Sequence, residues 1–157
     1  MEKLSILEYL THMLNGTLTP EMATHMQYPT PISQTLGIKL SEIDEGRATV
    51  RMETSKELHS NQQGTIHGGL ICELADAAIG TAHSTLINEG ESFTSIELKI
   101  NFYRPVFGSV LSAKAKPLQK GKNISHYLCE VIREDGKIAA LVTSTVMTLR
   151  GEKAIGR

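Results

Sequence analysis

The stretch that most limits how this chain can fold is residues 67–86, where His67 and two glycines open onto a proline-free run of small and apolar residues. Leu70, Ile71, Leu74, Ala75, Ala78 and Ala82 recur at three- and four-residue spacing, which predicts a helix over 69–86 with one buried face. That face is rich in alanine, so whatever covers it can approach closely. Gly64, Gly68 and Gly69 form a turn that can bring backbone near a ligand, because glycine tolerates conformations that a Cβ forbids. The first N–H groups of a helix have no internal partner, and the helix dipole adds positive charge there, so an oxyanion or polarised carbonyl is stabilised at that end. Asp76, set between Ala75 and Ala77, lies seven residues past Gly69. That is about 10 Å along the axis, too far to serve its own helix start. A second copy of the helix, running antiparallel, could bring its Asp76 beside the first copy's glycines, so the spacing permits a site shared between two subunits.

The remaining chain divides by period. Residues 3–14 place Leu4, Ile6, Leu7, Leu10, Met13 and Leu14 mostly on one side of a helix that Asn15-Gly16 can end. Residues 17–35 carry Pro20, Pro29 and Pro31 and read as an irregular connector, in which Met22 and Met26 could share one helical turn as packing residues. From Leu36 the pattern alternates, broken at Asp44-Glu45-Gly46, and predicts a hairpin. After the central helix, strands are predicted over 93–102, 109–118, 125–133 and 138–149, the last pair joined at Asp135-Gly136. This order fits an α+β fold in which one antiparallel sheet wraps a single long helix, with an additional N-terminal helix. The reading divides the chain into an N-terminal helix and connector (1–35), a main domain (36–150) and a frayed end (151–157).

Sixteen Lys and Arg stand against seventeen Asp and Glu, so no overall charge favours nucleic acid or a membrane surface. No run is apolar enough to span a bilayer, and the start lacks the order of a signal peptide, so a soluble, cytoplasmic protein is expected. Cys72 and Cys129 have no metal-ligand spacing and are expected as small buried hydrophobes. There is no phosphate loop, zinc-type His/Cys cluster or nucleophile elbow, so neither a metal nor a cofactor is expected.

Asn61, Gly64, His67-Gly68-Gly69 and Leu74-Ala75-Asp76, with Ala77 and Gly80 behind, resemble the signature of hotdog-fold acyl-CoA thioesterases of the phenylacetate-pathway (PaaI) type. That family reads N-x-x-G-x-x-H-G-G with an acid nine positions after the histidine, and Asp76 is nine after His67. The looser resemblance covers 36–149. It implies the hotdog fold and hydrolysis of an acyl-CoA to acid and CoA, with coenzyme A entering only as part of the substrate. It further implies homodimers or homotetramers with sites shared between subunits. A non-catalytic acyl-CoA-binding or regulatory module is the alternative reading, and a hotdog hydratase or dehydratase is a third.

Four residues are expected in catalysis. Asp76 is general base to water or itself the nucleophile, Gly69 offers an N–H to the thioester oxygen, and His67 orients the loop. Asn61 either contacts the thioester or water, as the resemblance implies, or caps its loop. For substrate binding, Gly68 shares the turn, Ser95 and Thr94 open the strand after the helix, and Arg104, Lys120 and Lys122 sit in strand breaks where they could meet coenzyme A phosphates. Glu73 lies three residues before Asp76, but nothing in the motif selects it.

Overall fold

The computed structural model describes residues 2–156. Its centre is α4 (Gly68–Ser84), a helix enclosed on one side by a six-stranded antiparallel sheet. The strands are β3 (Lys39–Asp44), β4 (Arg47–Glu53), β5 (Ser92–Phe102), β6 (Val110–Gln119), β7 (Ile124–Ile132) and β8 (Ile138–Leu149). They lie in the order β3-β4-β6-β7-β8-β5, which leaves the 11-residue β5 bonded only to β8, with its outer edge unpaired among the described residues. No helix among the described residues is long and apolar enough to cross a membrane.

The alternation of strand side chains aims one face of β4, β6, β7 and β8 at the helix. Val50, Met52, Leu111, Ala113, Tyr127, Cys129, Val131, Val142 and Val146 meet Ile71, Leu74, Ala75, Ala78, Ile79 and Ala82 in one continuous core. Ala75, Ala78 and Ala82 are fully buried. The small side chains that predicted the helix are thus those that let the sheet close on it.

The N-terminal region departs from the sequence reading in three places. The first helix, expected over 3–14, is α1 (Ile6–Asn15), preceded by β1 (Glu2–Lys3), which pairs in parallel with β2 (Met22–Ala23). Ser5 sets that start through a reciprocal capping box: its hydroxyl accepts the Glu8 N–H, and the Glu8 carboxylate accepts the Ser5 N–H at 3.0 Å. Met22 is therefore in a strand and shares no helical turn with Met26, which packs with Ile6, Leu10 and Ile87 in a second apolar cluster. The connector also contains α2 (Pro31–Leu36), capped by Thr30 with Pro31 in its first turn, so the hairpin begins at Lys39 rather than Leu36. The polar segment before α4 holds a single helical turn, α3 (Lys56–His59). Gly151–Ala154 forms one 3-10 turn where fraying was expected, while Arg157 lies outside the described residues.

β5 carries a bulge between Ser95 and Glu97 that reverses which side chains face the helix. Before it, Phe93 and Ser95 point at α4; after it, Leu98, Ile100 and Phe102 do. The bulge also frees the Glu97 carbonyl, which accepts from the buried Ser144 hydroxyl at 2.7 Å.

Candidate active site

α4 begins at the glycines because His67 caps it: the His67 Nδ1 accepts the Gly69 N–H at 3.0 Å, and the His67 carbonyl accepts from Leu70. The loop-orienting role expected of His67 thus takes the form of a helix cap, which occupies the N–H assigned to a thioester oxygen. Gly68 lets the Phe102 ring rest against the backbone at the helix start. A Cβ there would lie 2.8 Å from that ring.

Gly69, Cys72, Glu73 and Asp76 share the face of α4 that the sheet leaves uncovered, and with Ser95, Ile96, Glu97 and Leu98 they line an open hollow of about 500 Å³. Asp76 is half-buried there, and the Ser95 hydroxyl donates to its Oδ1 at 3.3 Å. Glu73 has its carboxyl pushed above the usual range, first by burial and then by the neighbouring Asp76 charge. Burial raises the Cys72 thiol as well, followed by the charges of Asp76 and Glu73. Cys72 is thus only half-buried and borders the hollow, unlike Cys129, whose thiol is fully buried and pushed up to about 12. Both Glu73 and Cys72 were legible in principle, since positions three and four before Asp76 fall on its helix face.

The other expected site residues lie elsewhere. Asn61 turns its amide into its own loop, where Oδ1 accepts from the Gln63 and Thr65 N–H groups and Nδ2 donates to the Thr65 hydroxyl at 3.0 Å. Within one chain it borders a second hollow of about 370 Å³ with Gly68, Phe102 and Arg104, apart from Asp76. Thr94 alternates with Ser95 and so faces away from α4. Arg104 is near the helix start and donates to the Ile138 carbonyl at 2.8 Å. Lys120 and Lys122 do not join it: their turn lies against the β3–β4 turn at the far end of α4, where Lys120 faces Glu45 and Gly46 donates to Thr85. The three cations expected as a group are separated because the β6–β7 turn closes the sheet at the opposite end from the glycines.

The thioesterase superfamily pattern matches residues 63–140, which contain the helix and most of the sheet. The acyl-coenzyme A thioesterase PaaI of Escherichia coli is 32% identical over 110 residues, covering 69% of this chain and 76% of that protein. The chain belongs to the PaaI-type thioesterase family. A putative esterase of Archaeoglobus fulgidus is 35% identical over 112 residues, covering 71% of this chain and 70% of its own. The solved structure of E. coli PaaI superposes with a TM-score of 0.71 at 30% identity, over 78% of this chain and 87% of that one. The sheet wrapped on one helix is therefore the hotdog fold, and this PaaI-type chain is a thioesterase enzyme. The comparisons agree with the fold and family that the sequence motif implied.

Proposed function

We propose that this PaaI-type thioesterase hydrolyses an acyl-CoA to a free carboxylic acid and CoA at a site built from two copies of the chain. The observation that carries the reading is the hollow in which Asp76, held by Ser95, faces outward beside the unpaired edge of β5. The Asp76 carboxylate acts as general base to water or attacks the thioester carbonyl itself. In either case a tetrahedral oxyanion forms and collapses by expelling the CoA thiolate; on the second route this leaves an Asp76–acyl anhydride, which water then hydrolyses to the free acid and Asp76. Donors for that oxyanion are the backbone N–H groups at the start of α4. Gly69 and Asp76 of one chain are separated by two helical turns, about 10 Å along the axis, so one carbonyl cannot engage both. A second chain supplies the missing half. The unpaired edge strand supports such pairing, since exposed strand edges are sites for adding another strand.

His67 shields the Gly69 N–H in the free chain, and the thioester oxygen takes its place when substrate binds. Homodimers are the minimum assembly on this reading, with tetramers formed from them. A thiol-release assay over short, long and aromatic acyl-CoAs tests the activity, with Asp76→Asn as control. Turnover in the wild type and its loss in the variant, with the fold retained, are expected; retention of CoA esters without thiol release would point instead to a binding module. In single turnover in heavy-oxygen water, label entering Asp76 marks it as the nucleophile, through an anhydride opened at its own carbonyl.

A further inference from the structure

We infer that Phe93 sets the length of acyl chain the site accepts, an inference that rests on the acyl-CoA hydrolase reading above. From the Asp76–Ser95 pair, the seam between α4 and β5 runs two ways. Toward the helix start it is open and carries the charged Glu73 and Glu97 beside Gly69, Cys72 and Leu98. The charged CoA moiety belongs in water, and an apolar acyl tail gains by leaving it. The direction free of charged side chains is toward the end of α4, where Ala77 to Gly80 face Ser92 to Thr94. One turn beyond Asp76 the helix presents Gly80, and two residues before Ser95 the strand presents Phe93. The Phe93 ring lies over Gly80, with ring atoms 3.7 and 3.8 Å from where a Cβ would stand, and packs edge-on against His83 with centroids 5.3 Å apart.

Phe93 is the residue at which the two apolar clusters meet on this seam. It packs against the main core, and also against the second cluster of Ile6, Leu10 and Ile87 with Met26 and Tyr28. The hollow stops short of it. The ring therefore closes the seam between the carboxylate and an apolar region roofed by the N-terminal segment, and the bare Gly80 leaves space on the helix side that only this ring fills. Shortening residue 93 extends the hollow by one layer, about 6 Å from Asp76 to Gly80, room for roughly four or five methylenes. Each methylene so buried is worth about fourfold in binding.

The test is kcat/KM across a series of saturated acyl-CoAs for the wild type, Phe93→Leu and Phe93→Ala, with folding checked by thermal melting. Phe93→Leu keeps an apolar side chain and serves if the alanine variant is too unstable. The expected result is an optimum moved to longer chains by several methylenes, at least tenfold in the ratio of long to short substrate, with short-chain turnover kept. A uniform fall at every length, or an unchanged optimum in a folded variant, would overturn the role of Phe93 while leaving the hydrolase reading intact. Absence of thiol release from every acyl-CoA by the wild type would overturn both.

Discussion

The Ser95 hydroxyl donates to the Asp76 Oδ1 at 3.3 Å, joining the edge strand to the exposed face of the central helix. The contact exists because β5 bulges just after Ser95; without the extra residue, the strand could not turn both Ser95 and Leu98 toward α4. Ser95→Ala removes one hydrogen bond from a carboxylate at the rim of the fold. Melting temperature is expected to stay nearly constant while kcat falls about tenfold, in line with one charge-assisted hydrogen bond. Steady-state kinetics beside a thermal melt checks this, and an unchanged kcat would show that Ser95 does not position Asp76.

Asp76→Asn keeps the size and the Ser95 partner of the side chain but removes its charge. A loss of about 100- to 10,000-fold in kcat is expected, the range associated with a positioned base. Product binding, measured by calorimetry with CoA, should survive. A variant with near-normal kcat would remove Asp76 from the chemistry.

A Cβ on Gly69 would stand 3.1 Å from the His67 Nδ1, tight against the cap. Gly69→Ala therefore opposes two effects on stability: alanine favours the helix by up to about 1 kcal/mol, and displacing the cap costs a similar amount. Stability should change little, whereas kcat should fall at least about tenfold because the N–H is moved relative to the thioester oxygen. Chemical denaturation set against kinetics reads the two separately. A large stability loss with kcat preserved would mark Gly69 as a structural turn only.

His83 is buried at the end of α4, with ring nitrogens 2.9 Å from the Tyr127 hydroxyl and 3.0 Å from that of Thr148. Burial lowers its pKa from 6.5 to about 4. The unfolded chain thus binds a proton between those values that the folded chain does not, so this contribution to stability is full above pH 6.5 and is lost as pH falls toward 4. The loss should reach at most about 3 kcal/mol. Urea unfolding near neutrality and at about pH 4.5 should show a shallower pH slope in His83→Gln than in wild type. Equal slopes would show that the ring takes up no proton on unfolding.

The helix, five of the six main strands and the Asp135-Gly136 hairpin were legible because their periods are long enough to register. The sixth, β3, was found but begun too early, since the short alternation around Leu36 merges with α2 and only the Thr30-Pro31 cap separates them. The two-residue strands β1 and β2 have no period to read. The motif singled out Asp76 and Gly69, and the strand after the helix suggested Ser95; the three line one hollow. The motif could not show that Asn61 satisfies its amide within residues 61–65, nor that Lys120 and Lys122 lie across the molecule from Arg104, because turn positions in sequence carry no information about which end of the sheet they close. The bulge in β5 was equally hidden: one added residue changes which side chains face the helix without altering composition.

The central claim is that one chain supplies the carboxylate and another the helix start, and complementation between two inactive variants tests it most directly. Asp76→Asn and Gly69→Val are each purified, then unfolded together and refolded as a mixture. In a mixed two-fold dimer one site receives both lesions and the other receives none, so the mixture should recover about a quarter of wild-type activity. If each chain holds a whole site, every site in the mixture carries a lesion, and activity no higher than that of the separate variants would contradict the account.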